Sequence, residues 1–329
     1  MKRISRRSFL TTSCLTAATL AGLPSTFPLE TPEAEPRPTR FNGTVAIFYI
    51  AHFQRVSRDW DSIEEYKGPY HPLLGYYRYK TKDDVLKHLK WLRRTGVDTI
   101  VYDVYGFAEW SPMDIEKDRV LKWMMEALAD QRNEARKLQL LIWIEKYNSN
   151  PNLEEYHHAL NYVRKHLVHK PYYFRYKNKP IVLTYVNISN PVLDQLERET
   201  TDFTLRRVRA YDGKVYWSYC NEWPQPANRE WMPVSPGIDP FLENAYLARK
   251  KGQPIPKWTR FDRENGEYFK KQFATAREVD PEFIFLSGWN DWQYGLEIEP
   301  AVEYRFKYVD MAAKLLGREE ETRPYRDED

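Results

Sequence analysis

Val45-Ala46-Ile47-Phe48-Tyr49-Ile50 is an unbroken apolar run, and Val97-Asp98-Thr99-Ile100-Val101-Tyr102 is a second of nearly the same kind. Between them a stretch with helical spacing starts at Thr81. Asp84 stands three residues on as its capping partner, Val85, Leu89 and Leu92 share one face, and Gly96 ends it. Apolar strands bracketed by a helix imply a parallel sheet covered on its outer face.

The unit recurs along the chain. Further strands are predicted at residues 140–144, 180–185, 214–219 and 283–286, and helices at 116–138, 153–167, 191–205, 263–279 and 301–316. Pro191, after Asn190, suits a first helical turn. Another strand is expected near Val234, hidden by Pro-rich surroundings. Six βα repeats within residues 41–316 predict an α/β fold, a single-domain (β/α)8 TIM barrel; a doubly wound parallel sheet is the alternative. No internal sequence repeat is present.

The composition agrees with a globular domain. Of 329 residues, 42% are apolar and 15% aromatic, while mean hydropathy is −0.73, which excludes a membrane protein, a disordered chain and a fibrous repeat. The formal charge of +3 comes from the front, where Lys2, Arg3, Arg6 and Arg7 stand with no acid in the first 21 residues. The remainder is near neutral, which argues against nucleic acid as a partner. The cluster Leu205-Arg206-Arg207-Val208-Arg209 reads as a solvated helix face.

Ser5-Arg6-Arg7-Ser8-Phe9-Leu10, followed by the weakly apolar stretch from Cys14 to Ala21, resembles a twin-arginine export signal. Its apolar part is shorter than the ~20 residues that span a bilayer, so no stable membrane anchor is expected. Such signals are addresses. Residues 1–21 therefore form a signal peptide, the twin-arginine translocase is a partner during export, and the destination is periplasmic or extracellular. Thr19 and Ala21 supply the small residues that precede a cut. Cys220 is then the only cysteine left, and no internal disulfide forms. Residues 22–40, with Pro24, Pro28, Pro32, Pro36 and Pro38, read as an extended linker. Folding is expected to begin near Phe41, and residues 317–329, dense in charge, read as a disordered tail.

In a parallel barrel the chemistry lies at the carboxyl ends of the strands. The successive ends carry Ala51-His52, Asp103, Glu145, Val186-Asn187, Asn221-Glu222 and Trp289-Asn290-Asp291. Four carboxylates, Asp103, Glu145, Glu222 and Asp291, thus converge on one rim. They are interleaved with Tyr49, Tyr102, Trp143, Trp217, Trp223, Trp289 and Trp292. One acid, one base or nucleophile, and flat faces for pyranose rings are what sugar chemistry needs. The expected partner is an oligo- or polysaccharide. Each acid also has a structural reading, as a cap on the next helix or the partner of a lysine. The seven histidines form no HExxH arrangement, and GxSxG, phosphate-loop and GxGxxG motifs are missing.

The segment Ser287-Gly288-Trp289-Asn290-Asp291-Trp292-Gln293-Tyr294-Gly295-Leu296-Glu297-Ile298-Glu299-Pro300 resembles the signature of the glycoside hydrolase family 99-like group. Leu74-Gly75-Tyr76-Tyr77, Gly96-Val97-Asp98, Lys179-Pro180-Ile181-Val182 and Val234-Ser235-Pro236-Gly237 with Asp239 agree in the same order. The resemblance implies a (β/α)8 barrel acting on α-linked mannose-type or related glycans, with no metal or organic cofactor. It also implies that Asp291 takes the place of the family's general base.

The general acid of the family falls on Tyr294, and a phenol of ordinary pKa ~10 replaces a carboxylic acid poorly. Three arrangements can restore the chemistry. Glu222 can supply the proton with Asp291 as base or nucleophile, Glu297 can swing in, or Tyr294 can itself attack. The first is favoured. Glu297 and Glu299 alternate around Ile298, and either hold sugar hydroxyls or pair with basic residues below the rim. The leading expectation is an exported glycoside hydrolase with catalytic Asp291, Glu222 and Tyr294. Asp103, Glu145, Tyr49, His52, Trp143, Trp223, Trp289, Trp292, Glu297 and Glu299 are expected to bind the glycan. The alternatives are a catalytically silent glycan-binding barrel and a factor in surface polysaccharide assembly.

Overall fold

A computed structural model describes residues 38–51, 69–104, 112–145, 153–185, 191–208, 229–239, 245, 248–249, 251–252, 254 and 260–326. The elements alternate as the apolar runs predict. They begin with β1 (Thr44–Tyr49), α1 (Lys82–Thr95), β2 (Thr99–Val104), α2 (Pro112–Ala129), β3 (Gln139–Ile144) and α3 (Leu153–His166). The chain continues through β4 (Arg175–Tyr176), β5 (Lys179–Tyr185), α4 (Pro191–Glu199), β6 (Thr204–Val208) and β7 (Trp231–Val234). It ends with α5 (Glu267–Val279), β8 (Phe283–Leu286), α6 (Lys307–Leu315) and α7 (Glu319–Thr322).

Helix α1 forms where its caps predict. Thr81 and Asp84 make a reciprocal capping box, and Gly96 ends the helix in the left-handed region at φ 81°. Val85, Leu89 and Leu92 are fully buried against the sheet.

Seven strands run parallel in the order β6-β5-β3-β2-β1-β8-β7, and the short β4 pairs antiparallel with β5. Alternate side chains divide between two apolar layers. Val45, Ile47, Ile100 and Ile142 face the helices, while Phe48, Val101, Trp143, Leu183, Trp231 and Phe285 pack among themselves on the concave side. The sheet is curled. Trp143 on β3 lies stacked 6.3 Å from Phe285 on β8 although β2 and β1 stand between them. The two edges also approach each other: Arg206 on β6 donates to Glu230, the residue before β7, at 3.1 Å. The Tyr176 hydroxyl reaches both Glu230 (2.7 Å) and Glu282 (2.8 Å). Among the described residues no strand joins β6 to β7. The strand expected at residues 214–219 lies outside the described residues.

Two expectations need correction. Residues 205–208 are not a helix face: α4 stops at Glu199, and Thr204–Val208 is a parallel strand. The paired arginines hid it. Arg207 points out of the sheet and is buried by Asp194 (2.6 Å) and Glu197 (2.7 Å) of α4, while Arg206 points inward to Glu230. Residues 317–326 are likewise not a disordered tail. Arg318, 2% exposed, donates to the backbone carbonyls of Gly96 (2.7 Å), Phe41 (3.2 Å) and Gly43 (3.1 Å) and to Asp98 (2.7 Å). Glu321 pairs with Arg40 and Arg136, and the Tyr325 hydroxyl accepts the Arg136 N–H at 2.9 Å. Every one of these partners is distant in sequence, so local charge density concealed the packing.

Candidate active site

The concave side of the sheet ends in acids at its carboxyl rim. Val101 faces the interior, so strand alternation places the buried Asp103 on the same side of β2. Glu145 follows β3 in the register of the interior-facing Trp143, and its N–H donates to Val104 O at 2.8 Å, extending the ladder by one residue. Asp291 follows β8, 3% exposed. The residues Glu222, Trp223 and His52, expected at this rim, lie outside the described residues.

The loop carrying Asp291 is held at nearly every residue. Gly288 sits at φ 119°, where a Cβ would come within 2.9 Å of Leu296 O and 3.1 Å of Asp291 Cβ, so glycine is required there. The Trp289 N–H donates to Phe48 O (2.7 Å), continuing the pairing with β1. The Asn290 side chain accepts the Ile50 N–H (2.9 Å) and donates to Ile50 O (2.8 Å). Leu296 N–H returns to Asp291 O (3.2 Å), and Ile298 and Glu299 N–H return to Trp289 O (3.0 and 2.8 Å).

Beneath this loop lies a sealed polar cluster. Glu299 accepts the Tyr77 hydroxyl and the Trp292 indole N–H through Oε2, each at 2.9 Å, and its Oε1 faces His88 Nε2 at 3.3 Å. The Tyr49 hydroxyl (3.0 Å) and the Trp289 indole N–H (3.3 Å) meet His88 Nδ1. Burial pushes Tyr49 and Tyr77 well above the ordinary phenol value, and for Tyr77 the Glu299 carboxylate adds to the effect. Beside the cluster, Glu297 pairs with Arg263, whose guanidinium lies over the rings of Tyr70 (4.8 Å) and Tyr308 (4.7 Å). Burial drives the Glu297 carboxyl up to about 7 although Arg263 pulls it down.

These positions revise the roles expected of several residues. Tyr49 is fully buried, stacked on Tyr102 at 5.8 Å beneath α1, because its place in β1 points it to the helix layer. Trp143 is core, packed on Phe48 at 4.9 Å. Trp289, Trp292, Glu297 and Glu299 are buried and engaged with His88, Tyr77 and Arg263 beneath the loop. Glu297 pairs with the basic Arg263, whereas Glu299 accepts from Tyr77 and Trp292. Tyr294 is half-buried against Ile238, Leu296 and Phe261, and its carbonyl accepts the Asp239 N–H at 2.8 Å. His88 and Arg263 stand in no quoted motif, and Tyr77 and Asn290 stand in quoted segments without an assigned role. The signal for His88 was available, since it shares the apolar face of Val85, Leu89 and Leu92.

Among the described residues no three His, Cys, Asp or Glu side chains gather as a metal site, and no helix is long and apolar enough to cross a membrane. The arrangement supplies carboxylates at the rim of an apolar bowl, suited to acid–base work on a polar ligand.

No family model matches the sequence, and no curated protein matches it. In shape the chain is similar to the family 99 endo-α-mannosidase of Bacteroides thetaiotaomicron in complex with BIS-TRIS-propane. The TM-score is 0.64 at 16% identity, over 87% of this chain and 99% of that one. A second structure of the endo-α-mannosidase from that organism gives 0.65 at 15% identity over 86% and 98%. A glycoside hydrolase-like protein gives 0.59 at 12% identity over 83% and 94%. The curled parallel sheet with its helices is therefore a fold shared with glycoside hydrolases.

Proposed function

We propose that the protein is a glycoside hydrolase that cleaves or remodels an α-linked glycan of mannose type or a related kind, on a (β/α)8 barrel. The observation that carries this reading is the placement of Asp291. It follows β8 in a loop braced on both sides, beside Asn290, which pairs with Ile50 at the carboxyl end of β1, in a fold shared with an endo-α-mannosidase. Asp291 acts as base or nucleophile and Glu222 supplies the proton. Asp291→Asn and Glu222→Gln are each expected to lower turnover of an α-mannan by orders of magnitude with the fold retained. Full activity in both variants overturns the pairing.

Tyr294 favours a second reading, a catalytically silent glycan-binding barrel, because a phenol stands where the resemblance calls for an acid. Glycan binding with no product after long incubation selects it. The same reading of the sequence includes export: residues 1–21 act as a twin-arginine signal, and the mature protein works in the periplasm or outside the cell. Replacing Arg6 and Arg7 with lysine is expected to retain the precursor inside. Undiminished export of that variant rejects the assignment.

A further inference from the structure

We infer that His88 is a positioning residue for the loop that carries Asp291, a neutral imidazole that couples the two tryptophans flanking that carboxylate. An indole N–H only donates. The Trp289 Nε1 hydrogen bond to His88 Nδ1 (3.3 Å) therefore makes Nδ1 an acceptor and leaves the ring proton on Nε2. Nε2 stands 3.3 Å from Glu299 Oε1, within ion-pair distance, and both atoms are buried without a hydrogen-bond partner among the described residues. The opposite oxygen of Glu299 accepts the Trp292 indole at 2.9 Å. Trp289, His88, Glu299 and Trp292 thus form one connected chain of buried side chains, joined by two hydrogen bonds and the 3.3 Å contact between His88 and Glu299.

This chain ties residues 289 and 292 together, while Asn290 is fastened to Ile50. All three neighbours of Asp291 in the Trp-Asn-Asp-Trp stretch are anchored, and His88 refers two of them to α1, a capped helix. A functional group set on a rigid element through locked partners is held more closely than one on a free loop. The inference rests on the reading of Asp291 as a catalytic carboxylate, for which a misplacement of about 1 Å costs ~100-fold in rate.

The test combines nitrogen-15 NMR, hydrogen exchange and kinetics on the full chain. In the wild type His88 is expected to show an unprotonated Nδ1 and a protonated Nε2. In His88→Phe, which keeps a ring and removes both nitrogens, the indole signals of Trp289 and Trp292 both move, and amide exchange over residues 289–296 accelerates. With an α-mannan as substrate, kcat falls ~100-fold while KM stays. His88→Gln, whose amide can accept from Trp289 and donate to Glu299, recovers part of the loss. A protonated Nδ1, or wild-type exchange and kcat in His88→Phe, overturns the inference. If His88→Phe does not fold, the imidazole signals and a kcat-specific loss in His88→Gln decide it. If the wild type turns over no glycan, the hydrolase reading falls, and the imidazole and exchange data alone judge His88.

Discussion

The side-chain amide of Asn290 pairs with both backbone polar groups of Ile50, accepting its N–H at 2.9 Å and donating to its carbonyl at 2.8 Å. It therefore imitates the two-bond residue pair of an antiparallel ladder at the end of β1. The mimicry keeps the sheet edge satisfied where the chain turns from β8 into the loop.

Asn290→Ala should consequently be costly. Two buried backbone groups lose their partners at once, and an unsatisfied buried group costs about 1–3 kcal/mol. Urea unfolding should show a loss of about 3 kcal/mol, and Asn290→Asp, which keeps the acceptor and removes the donor, should also destabilise. An unchanged midpoint in both variants rejects the role.

Gly288→Ala should be destabilising for a different reason. The residue sits at φ 119°, and a methyl there meets Leu296 O at 2.9 Å. Strain of this kind costs of order 1–3 kcal/mol. The expected readout is a lowered Tm with faster amide exchange confined to the loop before global unfolding.

Glu297 should make stability fall as pH rises. Its native carboxyl titrates at about 7, above the ordinary 4.5, so the folded state holds the proton more tightly than the unfolded chain. The contribution is full below about 4.5 and is lost as pH rises through about 7. The gap corresponds to on the order of 3 kcal/mol. Comparing unfolding at pH 5 and pH 8 for the wild type and Glu297→Gln should show the pH dependence weakened in the variant. Equal slopes for the two proteins count against it.

Arg318→Ala should loosen the amino ends of β1 and β2. The guanidinium serves three carbonyls and Asp98, and removing one partner of a buried charged network costs about 3–5 kcal/mol. Deleting residues 318–329 should be at least as damaging. A truncated chain as stable as the full one returns this segment to the status of a tail.

Much of the fold was legible because its signals are local. The apolar runs of β1, β2 and β3, the Thr81 and Asp84 box, and Gly96 depend on neighbours a few residues away. The alternation of strand and helix, and with it the position of Asp103, Glu145 and Asp291 at strand ends, follows from sequence alone. β6 was illegible because Arg206 and Arg207 read as solvent-facing until Glu230, Asp194 and Glu197 neutralise them.

The sequence by itself determined a parallel α/β chain with acids and aromatics gathered at the strand ends. Only the tertiary structure decided which of them meet solvent. Tyr49 on β1 and Trp143 on β3 lie on opposite faces of one sheet, and both are core, since each apolar layer of a curled parallel sheet is closed by elements far along the chain. Glu297 and Glu299 became buried anchors because Arg263, His88 and Tyr77 reach them from segments that periodicity cannot place beside them. A carboxylate's chemistry is set by what surrounds it, and those surroundings are assembled by folding.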